Sequence, residues 1–197
     1  MTTGLLLAAG AGRRMGTPKA LVHDDDGTSW LRRSVGALAE GGCRPVQVVL
    51  GAAADEARPL LEGLDVQVVL ADDWAEGMGA SLRAGLAAAS GDAVLVSLVD
   101  LPDVTAVVVA RVLGSGSGPG VLARAAYDGR PGHPVLIGRD HWAAVTATAV
   151  GDAGARDHLA AADVTLVECG DLATGHDVDS RGDVRGDTPT SGQRPRT

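Results

Sequence analysis

The run LLLAAGAGRRMGTPKAL, Leu5 to Leu21, holds the residues best suited to chemistry. An apolar segment ends at Gly10. Gly12, Gly16 and Lys19 follow, with Arg13 and Arg14 between them. Glycines let a backbone turn sharply and aim successive N–H groups at an anion. Three cations beside such a turn suit a polyphosphate, and they stand out in a chain of formal net charge −8. The spacing separates this loop from two common phosphate cradles. A P-loop needs Gly-Lys followed by Ser or Thr, whereas Thr17-Pro18 stand between Gly16 and Lys19. The dinucleotide fingerprint G-x-G-x-x-G needs a glycine where Met15 stands and a helix that starts at once. Here Pro18 and His23-Asp24-Asp25-Asp26-Gly27 delay the helix.

The elements that must hold this loop follow from hydrophobic periodicity. Gly4–Ala9 reads as a buried strand, and Pro45–Leu50, Val66–Leu70 and Ala93–Val99 as further strands. Between them lie helices at Thr28–Glu40, capped by Thr28 or Ser29, at Ala54–Leu61, and at Ser81–Ala89, entered through Gly77 and Gly79. Val104–Leu113 is rich in valine, but α/β alternation calls for a helix there, with Asp103 or Thr105 as its cap. Strands at Val121–Ala126 and Pro134–Ile137 flank a turn at Asp128-Gly129. Helices at Arg139–Thr146 and Ala155–Ala162 and a strand at Val164–Glu168 complete the pattern. Strands alternating with helices predict βαβ units and a mostly parallel sheet, with ligands at the C-terminal ends of its strands.

Composition narrows the function classes. With 197 residues the expectation is one domain, since domains run to about 150 residues. The domain is expected over 1–184. The polar run RGDTPTSGQRPRT, residues 185–197, is expected to be a disordered tail. The acidic balance argues against a general nucleic-acid binder. No Phe, one Tyr and three Trp leave little for base-stacking platforms. Two cysteines are too few for a disulfide scaffold or a cysteine metal cluster. No stretch is apolar enough to span a bilayer. Met1-Thr2-Thr3-Gly4 has no signal-peptide pattern, so the expected location is the cytoplasm.

The glycine loop resembles the signature of the MobA/MocA-like nucleotidyltransferases, roughly L-A-[AG]-G-x-x-x-R-M-G-x-x-K. Leu7, Ala8, Ala9, Gly10, Arg14, Met15, Gly16 and Lys19 match it. WAEGMGASL, Trp74 to Leu82, is similar to the family's second nucleotide-binding segment, with Gly79 and Ser81 beside the nucleotide. LVDLPDV, Leu98 to Val104, resembles its D-x-P metal motif, which makes Asp100 a ligand for Mg²⁺. GRPGHPVLIG, Gly129 to Gly138, and GDAGARDHL, Gly151 to Leu159, resemble acceptor-side segments. They offer His133, Asp152 and Arg156, each of which also has an ordinary structural reading. HDVDSRGDV, His176 to Val184, resembles the family's D-I-D-T-P-E-D. One of Asp177 and Asp179, preferably Asp179, would join Asp100 on the metal. Ser180-Arg181-Gly182 departs from the family pattern there. A zinc site at His176 lacks the necessary partners. Asp24-Asp25-Asp26 reads as a solvated turn.

The resemblance implies a Rossmann-like three-layer α/β/α sandwich of the nucleotide-diphospho-sugar transferase type. It implies transfer of NMP from an NTP to a phosphorylated acceptor, molybdopterin above all, with release of pyrophosphate. Lys19, Arg14 and Asp100 are the expected catalytic residues. Leu7, Ala8, Ala9, Gly10, Gly12, Gly16, Lys19, Gly79 and Ser81 are expected at the nucleotide. The L-A-A-G form resembles the cytidylyl branch, so CTP is the expected donor, and a molybdoenzyme is the expected client. Nicotine-blue-type oxidoreductases share this short architecture and give a second reading, NAD(P)H-dependent reduction. A binder that has lost catalysis is a third, motivated by Ser180-Arg181-Gly182.

Overall fold

A computed structural model describes residues 1–178. Asp179, Ser180-Arg181-Gly182, the expected domain boundary at 184 and the expected tail 185–197 lie outside the described residues.

Among the described residues seven strands form one sheet: β1 (Thr2–Ala8), β2 (Val46–Leu50), β3 (Gln67–Leu70), β4 (Ala93–Leu98), β5 (Leu122–Tyr127), β6 (Arg130–Gly138) and β7 (Thr165–Glu168). Their order across the sheet is β3-β2-β1-β4-β6-β5-β7. Only β6 runs against the others, pairing antiparallel with both β4 and β5. The cause is the turn at Asp128-Gly129. Both residues have positive φ, 51° and 75°, the geometry of a tight hairpin that reverses the chain at once. β6 is also longer than the expected Pro134–Ile137, because pairing with β5 carries the strand back to Arg130.

Six helices of the described residues cover the two faces: α1 (Trp30–Glu40), α2 (Ala54–Ala57, continued as a 3-10 turn to Leu61), α3 (Met78–Ala88), α4 (Ala106–Leu113), α5 (Arg139–Thr148) and α6 (Arg156–Ala161). The period-two alternation of the strands divides the core between the faces. Leu6, Val48 and Leu95 pack with α1 and α4 on one face, and Leu5, Leu7, Val94 and Val96 pack with α3 and α5 on the other. The result is the expected three-layer α/β/α sandwich. Among the described residues no helix is long and apolar enough to cross a membrane.

Caps explain two differences from the sequence reading. Ser29 caps α1, its side chain accepting from the Arg32 N–H at 3.4 Å. Thr105 stands at the start of α4 but makes no side-chain capping bond, and Asp103 is engaged elsewhere. α3 begins at Met78, three residues before the expected start. Its first N–H is met from a distant loop, by Asp152 Oδ1 at 3.4 Å. Gly79 therefore lies inside the helix rather than ahead of it, and Ser81 is no longer its first residue.

The acidic turn is only partly solvated. Asp24 accepts the Trp30 indole N–H at 2.6 Å and also pairs with Arg33. Trp30 is 1% exposed and is among the largest fully buried side chains. Trp30→Ala is expected to destabilise the chain by about 3–5 kcal/mol, read as a lower urea midpoint at unchanged slope. A loss below about 1 kcal/mol would mean that the cavity collapses and that α1 is held elsewhere.

Candidate active site

The strand order reverses beside β1. The chain leaves β1 for β2 on one side and later returns to β4 on the other. Loops diverge from the C-terminal ends of such a pair and leave a crevice between them. The glycine loop leaves β1 into that crevice. Its turn is closed by the Met15 N–H donating to the Gly12 carbonyl at 2.9 Å. Gly12 has φ +60°, and a Cβ placed there would lie 1.9 Å from the Thr17 carbonyl oxygen. Only glycine lets the loop fold back on itself so closely. Met15 is buried and pins the loop to the core. After Pro18 a short 3-10 turn, Lys19–Leu21, buries Ala20. Lys19 Nζ then reaches Asp100 Oδ2 at 2.5 Å.

Asp100 stands just past β4 and is 9% exposed, the one charged residue in the buried set among the described residues. Its backbone carbonyl accepts the Val178 N–H at 3.0 Å, so the segment after β7 crosses back over this end of the sheet. The crevice has a volume of about 640 Å³. Leu7, Ala8, Ala9, Gly10, Gly12, Arg14, Lys19, Ser81, Asp100, Asp152, Arg156 and Asp177 line it, so residues far apart in the chain converge there. Two residues expected at the nucleotide are absent from the lining. Gly16 sits at the outer bend of the loop, with φ +70° and open space around it. Gly79 faces the chain beyond α5, where a Cβ would lie 2.5 Å from the Ala149 carbonyl oxygen; its smallness lets α3 approach that loop. Trp74, Glu76 and Met78 also line the crevice. Sequence reasoning passed over them because only the segment's glycines and Ser81 carried a motif.

A second cavity of about 500 Å³ adjoins the first and shares Leu7, Met78, Leu98, Asp152, Arg156 and Asp177 with it. Its walls are mostly aliphatic: Leu82, Val96, Leu101, Val135, Ile137 and Leu159. His133 lies here, away from the glycine loop. Arg124 Nε and Nη2 both donate to the Gly132 carbonyl at 3.2 Å, and Tyr127 Oη donates to the His133 carbonyl at 2.7 Å. Burial, and secondarily the Arg124 charge, push the His133 pKa down to about 4. The imidazole is therefore neutral at pH 7.

This shift has a stability consequence. Below about pH 6.5 the unfolded chain takes up a proton that the native imidazole refuses. The contribution is fully present above that pH and is lost as pH falls toward 4. Its size is up to roughly 3 kcal/mol. His133→Asn is expected to flatten this part of the stability profile, measured as urea midpoints between pH 4.5 and 7.5. An unchanged slope in the variant would assign the acid sensitivity to other groups.

Asp100 and Asp177 offer hard carboxylate oxygens to the same crevice, the donor type taken by Mg²⁺-class cations. Among the described residues no group of three His, Cys, Asp or Glu side chains gathers around a common point. Two carboxylates suit a cation that completes its shell with phosphate oxygens and water. His176 has no zinc-ligand partners there.

Residues 4–166 match the protein family described as the MobA-like NTP transferase domain. The chain belongs to that family. It is 42% identical over 191 residues to the nicotine blue oxidoreductase of Paenarthrobacter nicotinovorans, covering 90% of this chain and 92% of that one. Among solved structures, a nucleotidyl transferase from Methanothermobacter aligns with TM-score 0.78 at 24% identity, over 93% of this chain and 94% of that one. Rv0371c from Mycobacterium tuberculosis H37Rv aligns with TM-score 0.78 at 27% identity, over 93% and 95%. A complex of Rv0371c with manganese aligns with TM-score 0.70 at 24% identity, over 85% and 88%. The MobA-like chain is a nucleotidyltransferase, with the crevice at the sheet position where α/β folds take nucleotides.

Proposed function

We propose that this MobA-like NTP transferase moves CMP from CTP onto a phosphorylated acceptor such as molybdopterin and releases pyrophosphate. The observation that carries the reading is the Lys19–Asp100 pair, set inside the crevice beside the glycine loop. Backbone N–H groups from Ala9 to Gly12 cradle phosphate and contact the base, with Leu7, Ala8 and Ser81 on the walls. Gly16 and Gly79 shape the two segments without lining the crevice. Arg14 and Lys19 hold the triphosphate. Asp100 and either Asp177 or Asp179 would hold Mg²⁺. Manganese bound to Rv0371c supports a divalent cation in this fold. A cation bound there would neutralise phosphate charge.

An oxygen of the acceptor phosphate attacks the α-phosphorus in line. The new P–O bond forms as the bond to the α–β bridging oxygen breaks, and pyrophosphate leaves with the electron pair. The attacking phosphate is already anionic at pH 7, so no general base is needed. The protein's work is positioning and charge neutralisation. Lys19 lies close enough to the sheet end to meet charge that develops on the transferred group. The acceptor body enters the second cavity beside His133. Arg156 borders both cavities, which supports its assignment to the joining phosphate. Asp152, bonded to the α3 N-terminus, orders the acceptor side. CTP is preferred on the L-A-A-G form of the loop. We place the reaction in the cytoplasm, with delivery to a client molybdoenzyme.

The 42% identical relative supports a second reading, hydride transfer from a nicotinamide dinucleotide to a quinone-like pigment. The absence of the G-x-G-x-x-G spacing and the Lys19–Asp100 pair favour phosphate chemistry instead. A thermal-shift panel of CTP, GTP, ATP, UTP, NADH and NADPH, each with and without Mg²⁺, separates the two. Ligand at 100 times its dissociation constant adds about 2.7 kcal/mol, a readable shift. A Mg²⁺-dependent shift with CTP, lost in Asp100→Ala, is expected. A Mg²⁺-independent shift with NADPH alone would overturn the transferase chemistry.

A further inference from the structure

We propose that Asp103 is a positioning residue: it anchors the segment that crosses the candidate active site and thereby sets Asp177 beside Asp100. The inference rests on the cation-binding reading of the crevice given above, with Asp177 taken as the second carboxylate.

Asp100 and Asp103 belong to one turn after β4, in which the Val104 N–H donates to the Leu101 carbonyl at 3.4 Å. One member of the turn points its carboxylate into the crevice. The other grips the returning chain. Asp103 Oδ2 accepts both the Thr174 N–H and the Thr174 hydroxyl, each at 2.6 Å. Thr174 Oγ1 in turn accepts the His176 N–H at 3.3 Å. The relay orders the residues that immediately precede Asp177.

Two further contacts bracket the relay. Gly175 has φ +65°, and a Cβ there would lie 2.1 Å from the Tyr127 ring. The segment is therefore pressed against the ring, in a conformation that glycine adopts readily. Beyond Asp177, the Val178 N–H closes onto the Asp100 carbonyl at 3.0 Å. Asp177 thus lies between two fixed points, and it borders both cavities.

Asp103 is also an expensive way to hold a loop. Its Oδ1 is buried with no hydrogen-bond partner among the described residues. Burying an unsatisfied carboxylate oxygen opposes folding. A side chain capping α4 would have stabilised the fold without that penalty. The arrangement makes sense if the position of the crossing segment matters more than the stability gained.

The test compares Asp103→Ala, Asp103→Asn and Thr174→Val with the wild-type chain by amide hydrogen exchange and by Mn²⁺ titration followed by electron paramagnetic resonance. In Asp103→Ala, the Thr174, His176 and Val178 amides are expected to lose protection while β1 and β4 keep theirs. Mn²⁺ affinity is expected to fall about tenfold or more, the scale seen when support for a metal ligand is removed. Asp103→Asn can accept both Thr174 bonds through its amide oxygen and is expected to recover most of the affinity. Thr174→Val, which loses only the hydroxyl, is expected to fall between. Undiminished protection of Val178 in Asp103→Ala would overturn the anchor. So would lost protection with unchanged Mn²⁺ affinity, since the contact would then be structural only. A wild-type chain that takes no Mn²⁺ would count against the cation reading instead, and the exchange result would still decide for or against the anchor.

Discussion

Lys19→Met is expected to lower kcat for nucleotidyl transfer by about 10²- to 10³-fold, the usual cost of removing one preorganised charge from a transition-state site. The lysine and Asp100 side chains are 19% and 13% exposed, so each meets the other in a partly dried crevice. Their charges are screened less there than at a surface. Asp100→Asn is expected to match Lys19→Met in activity loss, from the cation side of the same site. Stability gives a second and sharper readout. Lys19→Met leaves the Asp100 carboxylate without this ion pair, a loss of up to about 3 kcal/mol, at the low end for buried pairs because some solvent contact remains. The double variant Lys19→Met/Asp100→Asn removes that carboxylate charge as well. It is expected to regain most of the stability and none of the activity. A Lys19→Met enzyme that turns over within threefold of wild type would remove Lys19 from the chemistry. A double variant no more stable than Lys19→Met would show that loss of the lysine does not strand the Asp100 charge.

The second large effect is expected at Gly12. Gly12→Ala puts a methyl group against the Thr17 carbonyl and asks alanine to hold φ +60°. Strain of this kind costs on the order of 1–3 kcal/mol and is relieved only if the loop opens. Opening moves the backbone N–H groups between Ala9 and Gly12 and shifts Lys19, which follows Thr17-Pro18 directly. The NTP dissociation constant is therefore expected to rise about tenfold or more, measured by calorimetry. The core beneath, built on β1 and α1, should keep its urea midpoint within the strain cost. Gly16→Ala is the matched control. Gly16 also has positive φ but has open space around it and does not line the crevice, so only the conformational cost applies. Equal effects at the two positions would show that φ alone matters and that the close approach at Gly12 does not.

Much of the fold was legible because it is local. Apolar runs such as Leu5–Leu7 and Val94–Val96 bury on both faces of a parallel sheet, and their ends are marked by glycine or aspartate. Helices α1 and α4 show the spacing of their buried faces directly, Leu31, Val35 and Leu38 in one, Val108, Val109 and Val112 in the other. The glycine loop was legible for the same reason, since its turn is set within residues 10–19. Errors fell where a distant partner replaced a local one. α3 starts early because Asp152 meets its first N–H. Asp103, expected beside Thr105 as a helix cap, serves Thr174 instead. Arg124 and Tyr127 carried no motif at all, yet they hold the backbone around His133.

The sequence by itself determined the element types, the mostly parallel sheet and the presence of a phosphate-suited loop, because periodicity, glycine placement and charge spacing act over a few residues. Only the tertiary structure decided which groups meet. Lys19 and Asp100 are 81 residues apart, Met78 and Asp152 are 74 apart, and Asp103 and Thr174 are 71 apart. Those encounters depend on the strand order, with β4 beside β1 and the chain after β7 folded back over both. That order is a property of how whole layers pack, and local periodicity carries no record of it.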